Sequence, residues 1–525
     1  MDGRLLLLLH VLALLLLAVV VAAGGGAVVG RDSAVLQLRE LQWGSSGQVR
    51  YSQSKHFEKK MTGEHKKAAA AARTRTRSTT VLELKHHSLT AIPDHPAAQE
   101  TYLRRLLAAD EARANSLQLR NKAAFTQSGK KATAAAAAAA AGAEVPLTSG
   151  IRFQTLNYVT TIALGGGGSS RAGAGNLTVI VDTGSDLTWV QCKPCSVCYA
   201  QRDPLFDPSG SASYAAVPCN ASACEASLKA ATGVPGSCAT VGGGGGGGKS
   251  ERCYYSLAYG DGSFSRGVLA TDTVALGGAS VDGFVFGCGL SNRGLFGGTA
   301  GLMGLGRTEL SLVSQTAPRF GGVFSYCLPA ATSGDAAGSL SLGGDTSSYR
   351  NATPVSYTRM IADPAQPPFY FMNVTGASVG GAAVAAAGLG AANVLLDSGT
   401  VITRLAPSVY RAVRAEFARQ FGAERYPAAP PFSLLDACYN LTGHDEVKVP
   451  LLTLRLEGGA DMTVDAAGML FMARKDGSQV CLAMASLSFE DQTPIIGNYQ
   501  QKNKRVVYDT VGSRLGFADE DCSYA

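Results

Sequence analysis

Histidine is scarce in this chain of 525 residues, which has only seven. Six of them lie before residue 96, and the seventh, His444, lies in a polar Gly-His-Asp-Glu segment that is typical of a loop. A serine or cysteine nucleophile needs a base such as histidine beside it, so this distribution argues against that chemistry. The His-Glu-x-x-His zinc motif is absent as well. The candidates that remain for acid–base chemistry are carboxylates.

Long apolar runs are lacking after the first 23 residues, where no segment reaches 18 uninterrupted apolar residues. Residues 5–23 are apolar apart from His10, follow Arg4 and end in small residues. This order is typical of a secretory signal, so we predict a signal peptide at residues 1–23, with an uncleaved anchor as the alternative. We expect no membrane association once this leader is removed.

Charged residues make up only 16% of the chain, whereas hydrophobic residues make up 46%, which is ample for a large core. Residues 24–145 contain 19 basic and 10 acidic residues, and residues 146–525 contain 26 and 29, so the net charges are +9 and −3. The first of these regions includes a helix-like stretch at 102–119 and a polyalanine run at 134–141 that is typical of a linker. We interpret it as a basic pro-segment that complements an acidic cleft, and the alternative is a solvated, partly disordered stretch.

Cysteine is absent before residue 192, and the twelve cysteines that follow are an even number. In a chain with a secretory start, this pattern indicates disulfides. The spacing of Cys192, Cys195 and Cys198 also fits a zinc site, which is the alternative. An oxidising route through the cell favours disulfides, and we predict no metal.

Five Asn-x-Ser/Thr sequons fit the same secretory route and are predicted glycosylation sites. They are Asn176, Asn220, Asn351, Asn373 and Asn440. Asn176 and Asn373 lie next to or inside predicted strands, so they are the weaker candidates.

One short motif occurs twice, as Asp182-Thr183-Gly184-Ser185 and as Asp397-Ser398-Gly399-Thr400. Each copy follows an apolar, β-branched run. An apolar-apolar-Gly element follows about 120 residues after the first copy, at 301–306, and about 100 residues after the second, at 494–498. A buried strand that ends in an acid, a hydroxyl and a glycine holds the acid in a fixed place. We therefore predict two similar halves, at 146–345 and 346–525, that each supply one aspartate.

Two carboxylates held close together cannot both ionise cheaply, so they share a proton and titrate as a coupled pair. The ionised member can draw a proton from a water molecule while the protonated member polarises a carbonyl group. The duplication therefore predicts hydrolysis of a peptide bond by water, with Asp182 and Asp397 as the catalytic pair. A turn is the alternative interpretation of a single Asp-Thr-Gly copy.

A glycine run at 243–248, followed by Lys249 and Ser250, formally matches the phosphate-loop motif. That motif needs a strand before it and a helix after it, whereas the segment that follows here is typical of a strand. We interpret the run as a loop insertion and predict no cofactor. From Tyr158 onward the chain has the short alternating runs of a β-rich fold, with one helix predicted at Pro407–Phe421.

These motifs, the cysteine-rich stretch to Cys253 and the segments at 324–329 and 397–405 resemble plant pepsin-like aspartic peptidases of the nepenthesin type. The resemblance is strongest to the branch described as chloroplast-nucleoid DNA-binding-like. It covers nearly everything from about residue 150 onward. It implies an all-β, bilobal pepsin-like fold with the active-site cleft between two β-rich lobes.

The same resemblance implies roles for further residues. Ser185 and Thr400 would hydrogen-bond the two aspartates from outside, in motifs completed by Gly184 and Gly399. Tyr259 would be the cleft-facing phenol of a flap, a β-hairpin that closes over substrate, and Trp189 its partner. The alternative for these two aromatic residues is a place in the core.

The resemblance also implies a pairing of the cysteines that the sequence by itself cannot choose. The implied disulfides are Cys192–Cys195, Cys198–Cys288, Cys219–Cys253, Cys224–Cys238, Cys327–Cys522 and Cys438–Cys481.

The resulting prediction is a secreted aspartic endopeptidase made as a zymogen, monomeric, with protein or peptide substrates. It would be located in the extracellular space or apoplast, with the vacuole or chloroplast as alternatives. We also predict that a strand at 81–85 docks on the catalytic region and brings Lys85 toward Asp182 and Asp397, the alternative being that Lys85 faces solvent.

Two other functions stay open. One is a catalytically silent, protein- or glycosidase-binding protein on the same fold. The other is a nucleic-acid-associated plastid protease, although the net charge of −3 for residues 146–525 does not favour nucleic acid as a partner of the mature form.

Overall fold

A computed structural model describes residues 32–38, 95–124, 142–165, 175–241, 250–259, 262–330, 337–390, 393–422 and 425–523. The predicted signal peptide at 1–23, the predicted strand at 81–85 with Lys85, and the polyalanine run at 134–141 lie outside these residues. Among the described residues, no helix is long and apolar enough to span a membrane.

The α-helices of the described residues are few. They are α1 (Pro96–Ala124), α2 (Leu228–Thr232), α3 (Leu312–Phe320), α4 (Pro407–Phe421) and α5 (Ala466–Met469). The helix predicted at Pro407–Phe421 is confirmed with the same bounds, and the helix-like stretch at 102–119 lies within α1. Both have a buried face, which in α4 includes Val413 and Phe417.

Most of the remaining structure is β, and the fold class predicted from the sequence is confirmed. The largest sheet has 15 strands and contains the strands of the first half together with three from later in the chain. Its members are β2 (Ala143–Ser149), β3 (Tyr158–Leu164), β4 (Gly175–Asp182), β5 (Trp189–Gln191), β6 (Ala215–Ala216), β7 (Ser237–Val241), β8 (Ser250–Ala258), β9 (Phe264–Leu276), β10 (Ala279–Arg293), β11 (Gly301–Gly304), β12 (Val323–Cys327), β13 (Ala337–Leu342), β14 (Ser356–Arg359), β28 (Lys504–Asp509) and β29 (Arg514–Asp519).

The second half builds two smaller sheets. The eight-stranded sheet contains β15 (Phe371–Val379), β16 (Ala382–Val384), β17 (Asn393–Leu396), β18 (Thr403–Leu405), β22 (Leu452–Leu456), β23 (Asp461–Thr463), β26 (Met484–Ser486) and β27 (Ile495–Ile496). The four-stranded sheet contains β19 (Ala428–Ala429), β20 (Cys438–Tyr439), β24 (Leu470–Met472) and β25 (Val480–Leu482). A separate pair joins β1 (Ser33–Gln37), from the segment before the lobes, antiparallel to β21 (Glu446–Pro450).

The last strands of the chain cross from one half to the other. β28 pairs antiparallel with β12, and β29 continues the same sheet toward β14. The division predicted near residue 346 stays a prediction, but the sheet of the first half includes strands from beyond it. The two halves are therefore joined by backbone hydrogen bonds as well as by a linker.

The repeated apolar-apolar-Gly elements lie beside the aspartate-bearing strands. β11 runs parallel to β4 with Gly304 opposite Asp182, and β27 runs parallel to β17 in the second half. A Cβ atom on Gly304 would come 2.2 Å from the Asp186 carbonyl oxygen, and one on Gly497 would come 2.3 Å from that of Val401. Glycine is required at both positions because backbone passes too close for any side chain.

All twelve cysteines form disulfides, but the implied pairing is wrong for eight of them. Cys327–Cys522 and Cys438–Cys481 are found as implied. The others are Cys192–Cys288, Cys195–Cys198, Cys219–Cys238 and Cys224–Cys253, in place of the implied Cys192–Cys195, Cys198–Cys288, Cys219–Cys253 and Cys224–Cys238.

Burial explains the corrected pairing. Cys192 and Cys288 are both buried. They lie close together because Cys192 follows β5, and β5 runs parallel to β10, in which Cys288 lies opposite Val190. Cys224, from a short helical segment, and Cys253, from β8, are also both buried. The partially or fully exposed cysteines then pair with each other. Spacing along the chain does not reveal which side of the sheet a cysteine faces.

Candidate active site

Asp182 and Asp397 face each other across the centre of the molecule, and both are fully buried. Asp182 ends β4 and Asp397 directly follows β17, as the two motif copies predict. A Cβ atom on Gly184 would lie 2.7 Å from an Asp397 carboxylate oxygen, and one on Gly399 would lie 2.3 Å from an Asp182 oxygen. Each glycine therefore makes room for the carboxylate of the other half.

The hydrogen bonds around the two acids are nearly symmetrical. Ser185 Oγ donates to Asp182 at 2.5 Å, and Thr400 Oγ1 donates to Asp397 at 2.6 Å. The backbone amides of Gly184 and Gly399 donate to the same two carboxylates at 3.0 and 2.9 Å. The structure thus brings together the residues that the resemblance implied, each with a partner in its own motif.

The middle residues of the two motifs lock the halves together, a feature that the sequence interpretation missed. The amide of Thr183 donates to Ser398 Oγ at 3.0 Å, and the amide of Ser398 donates to Thr183 Oγ1 at 2.9 Å. Ser398 Oγ in turn donates to the Val181 carbonyl oxygen at 3.0 Å. The sequence feature that could have predicted this contact is the hydroxyl residue at the second position of both motifs.

Burial raises the pKa of Asp397 above its usual range, and the nearby Asp182 carboxylate raises it further. The Arg113 guanidinium and the hydrogen bonds from Thr400 and Gly399 lower this pKa, but not enough to cancel the rise. A carboxyl group in this setting takes up a proton more readily than an exposed aspartate does. This is the behaviour expected of a pair that shares one proton.

Trp189 and Tyr259 are paired as the resemblance implied, with Tyr259 lining the cavity beside α1. The indole Nε1 of Trp189 donates to the Tyr259 hydroxyl at 3.0 Å. Phe296 packs edge-on against both rings, with centroid distances of 5.0 and 5.5 Å. Tyr259 directly follows β8, and its backbone amide donates to the carbonyl oxygen of Ser263, the residue before β9. Phe296 was not predicted from the sequence.

A cation from α1 lies between the two acids. Arg113 Nη2 is 2.6 Å from an Asp182 carboxylate oxygen and 3.1 Å from one of Asp397, and its side chain is 18% exposed. Burial lowers the pKa of Arg113, but the two carboxylates raise it by more, so this pKa is raised overall. The guanidinium therefore fills the space between the two carboxylates.

Helix α1 packs mainly against the second half. Leu103 and Leu107 are fully buried in a cluster with Phe432 and Phe471 of that half. Farther along the helix, Leu117 packs with Phe371 and neighbouring apolar residues. The buried residues of the helix recur at three- and four-residue spacing, which was the sequence signal for this face.

Two polar side chains of α1 extend this contact. Gln118 and Thr493 exchange two hydrogen bonds, each 2.8 Å long, through the Gln118 amide group and the Thr493 backbone. Asp110 is buried and forms an ion pair with Arg404 at 3.0 Å. The helix therefore contributes polar as well as apolar anchors.

A neighbouring side of the helix borders open space. A cavity of about 300 Å³ lies between α1 and the flap side of the cleft. Its lining includes Tyr102 and Leu106 from the helix and Tyr259, Phe296 and Asn157 from the first half. The helix therefore fills the cleft only in part.

The described residues contain no cluster of three or more side chains suited to hold a metal ion. Cys192, Cys195 and Cys198, the zinc alternative, are all disulfide-bonded. Of the predicted glycosylation sites, Asn373 is half-buried within β15, and the side chains of the other four are exposed.

Two family models match the chain. The xylanase inhibitor N-terminal model matches residues 158–344, and the xylanase inhibitor C-terminal model matches residues 369–519. An aspartyl protease family protein of Arabidopsis thaliana is 38% identical over 423 residues, covering 80% of this chain and 82% of that protein. Aspartic proteinase nepenthesin-1 of Nepenthes gracilis is 34% identical over 355 residues, covering 66% of this chain and 75% of that protein.

Solved structures share the fold at low sequence identity. The crystal structure of edgp covers 72% of this chain and 94% of its own, with a TM-score of 0.56 and 23% identity. Basic 7S globulin from soybean covers 73% and 99%, with a TM-score of 0.56 and 19% identity. The two lobes and the paired aspartates define an aspartic-peptidase type of molecule. The chain belongs to the plant family of pepsin-like aspartic peptidases.

Proposed function

We propose that this protein is an aspartic endopeptidase that hydrolyses peptide bonds with a water molecule activated between Asp182 and Asp397. The observation that carries the proposal is the complete, symmetrical hydrogen-bond network around two buried carboxylates. In an open cleft these carboxyls share one proton, so one member can accept a proton from water while the other donates to the scissile carbonyl. Water is the nucleophile, and no acyl-enzyme forms.

The proposal includes synthesis as a zymogen, with α1 as the inhibitory element. While Arg113 lies between the acids, its positive charge favours two ionised carboxylates, and neither of them can donate a proton to a substrate. The guanidinium also occupies the space for water and substrate. Arg113 thus takes the role that we predicted for Lys85, which lies outside the described residues.

Acid releases this inhibition because the contact depends on ionised carboxylates. The charge of Arg113 lowers the pKa of Asp397 below the value that burial and Asp182 would otherwise give, so the contact favours the docked helix while Asp397 is ionised. As the pH falls through the pKa that Asp397 has in the docked state, that carboxyl takes up a proton and Arg113 loses one of its two charged partners. The contact therefore stabilises the docked helix above that pKa and is lost below it. A raised pKa places the release at a higher pH than an ordinary aspartate would give.

The remaining parts of the proposal concern where and on what the enzyme acts. The predicted leader and the six disulfides support a secretory route to the extracellular space or apoplast, with the vacuole and chloroplast as alternatives. We expect a monomer that acts on proteins or peptides, without nucleic acid as a partner of the mature form.

The test is cleavage of a denatured protein by the full-length chain from neutral to acid pH, with and without pepstatin. We expect cleavage on the acid side of neutrality, abolished by pepstatin, together with removal of residues before the first lobe. Cleavage blocked solely by a serine- or zinc-directed reagent would contradict the mechanism. Full activity of the unprocessed chain at neutral pH would contradict the zymogen.

A catalytically silent binding protein is the second candidate, because both matching family models are described as xylanase inhibitor domains. The test is inhibition of a xylanase by the full-length chain and by its Asp182→Asn variant. Equal inhibition by both, with no proteolysis at any pH, would favour this function over the first.

A further inference from the structure

We propose that Arg404 and the backbone amides of Val401 and Ile402 form a substrate subsite that binds a carboxylate side chain. The inference rests on the proposed function, because it concerns the cleft after α1 has left. It assigns a preference for peptides with an acidic residue at one position near the scissile bond.

The geometry of this subsite is visible because Asp110 of α1 occupies it. One carboxylate oxygen of Asp110 accepts from the Val401 amide at 2.5 Å. The other oxygen accepts from the Ile402 amide at 3.1 Å and from Arg404 Nη2 at 3.0 Å. The side chains of Asp110 and Arg404 are only 1% and 4% exposed. The carboxylate is thus held at both oxygens by a charged group and two backbone donors.

Val401 lines the cavity beside α1, and Ile402 and Arg404 follow it closely in the chain. Arg404 lies in β18, which pairs with both β26 and β27, and its Nη1 donates to the Ile402 carbonyl oxygen at 2.8 Å. These contacts do not involve α1, so they keep the guanidinium in place when the helix leaves. Nη2 and the two amides then lose Asp110. These donors are then available to a peptide that supplies a carboxylate, which accepts hydrogen bonds from a guanidinium more strongly than an uncharged group does.

The subsite lies next to the acids. Val401 directly follows Thr400, whose hydroxyl donates to Asp397. On α1, Asp110 precedes Arg113 by three residues, which is about 4.5 Å along a helix axis. An extended substrate advances about 3.3 Å per residue, so the carboxylate belongs to a residue about one to three positions from the scissile bond.

The rival explanation is that Arg404 serves only to hold α1. In that case the processed enzyme would cleave peptides with an acidic residue and with its uncharged isostere equally well. The two explanations therefore differ in the specificity of the processed enzyme and can be separated without any mutation.

The experiment uses the full-length chain after acid processing and a set of fluorogenic peptides with one common core. A single Glu is moved through four positions on each side of the scissile bond, and each peptide has a matched Gln peptide. The assay is run near pH 5, above the ordinary Glu pKa of about 4.3. At one position we expect kcat/KM for Glu to exceed that for Gln by about 10- to 100-fold, the range for a hydrogen bond to a charged group.

The matched variants are Arg404→Met, Arg404→Lys and Arg411→Met, the last on the exposed surface of α4. Each protein gives its own Glu-to-Gln ratio, so a change in overall activity does not affect the comparison. We expect the preference to disappear in Arg404→Met, to return in part in Arg404→Lys, and to stay in Arg411→Met. Lysine keeps the charge but lacks the planar fork of arginine.

A ratio near one at all eight positions, with the peptides cleaved, would overturn the subsite and leave the proposed function intact. Cleavage of no peptide would instead remove the proposed function. In that case a binding experiment tests the subsite. Fluorescence anisotropy measures the affinity of labelled Glu and Gln peptides for the full-length chain that carries both Asp110→Asn and Arg113→Ala. Tighter binding of one Glu peptide would support the subsite, and equal binding would overturn it.

Discussion

The two halves of the cleft are alike at their acids and unlike in how they contact helix α1. Ser185 and Thr400 donate to Asp182 and Asp397 over 2.5 and 2.6 Å, so the two motif copies have nearly the same geometry. This likeness extends to the strands beside them, since both acids follow a strand that pairs in parallel with an apolar-apolar-Gly element. The likeness of the two halves is therefore clearest where they supply the two carboxylates.

Helix α1 contacts the two halves differently. Its apolar anchors and Asp110 pack on the second half, whereas its ionic contact with the first half is from Arg113 to Asp182. Between the helix and Tyr259 of the first half there is a cavity of about 300 Å³. The second half therefore makes the more extensive contact with the helix, and the open space beside the helix lies toward Tyr259.

The largest effect is expected from replacing either of the two aspartates, and we expect the two replacements to reduce activity to a similar extent. Asp182→Asn and Asp397→Asn should each reduce kcat by at least about 10²- to 10⁴-fold, the usual contribution of a general acid or base. Thermal unfolding should show that both variants fold. Asp491→Asn, an exposed carboxylate of the second half, is the control and should keep full activity. Near-normal turnover in either dyad variant would show that the pair is not the catalytic unit.

Arg113→Ala should break the contact that α1 makes with both halves. Removing one partner of a buried ion pair costs about 3–5 kcal/mol, so the unprocessed chain should become active at a higher pH than the wild type. The measurement is a pH profile of cleavage before processing. Arg105→Ala, an exposed position on the same helix, is the control. An unchanged profile for Arg113→Ala would mean that this arginine does not inhibit.

Asp110→Asn should loosen α1 from the second half alone. The change leaves Arg404 buried opposite an uncharged group, and we expect a weaker version of the Arg113→Ala profile. Glu111→Gln, exposed on the same helix, should have no effect. If Asp110→Asn activates the chain more strongly than Arg113→Ala, retention by the second half is the main element of inhibition.

The disulfides also distinguish the two halves. Four of the six lie within the first half, between residues 192 and 288. Replacing Cys192 and Cys288 by Ser removes a bridge over 96 residues, and loop-closure entropy predicts a loss of about 4–5 kcal/mol in the free energy of unfolding. Replacing Cys195 and Cys198, three residues apart, should cost less. A non-reduced peptide map that links Cys192 to Cys195 would reject the pairing described above.

The smallest effect is expected from Trp189→Phe. The change keeps an aromatic ring against Phe296 but removes the 3.0 Å hydrogen bond to the Tyr259 hydroxyl. A neutral hydrogen bond contributes about 0.5–1.5 kcal/mol, so kcat/KM should fall by about two- to tenfold. Tyr259→Phe removes the same bond, and the double variant should be no worse than the more affected single variant. Additive losses would mean that the two residues act separately.

Much of the active site followed from short segments of sequence. The aspartates, their neighbouring hydroxyls and glycines, and the helix at Pro407–Phe421 all lie where the local pattern predicted. Each of these depends on residues within a few positions, because a strand end or a helix face is set by local backbone geometry. The resemblance added the Trp189–Tyr259 pair, which no local pattern would have joined.

Contacts between distant segments were decided by the tertiary structure. The sequence showed that the segment before the lobes is basic. It did not show that Arg113, 69 residues before Asp182, would be the residue of that segment that contacts the two aspartates. It also did not show that Asp110 would meet Arg404, 294 residues later, or that buried cysteines would pair with buried ones. Such pairings depend on which faces of a helix and a sheet pack together, and sequence spacing alone does not contain that information.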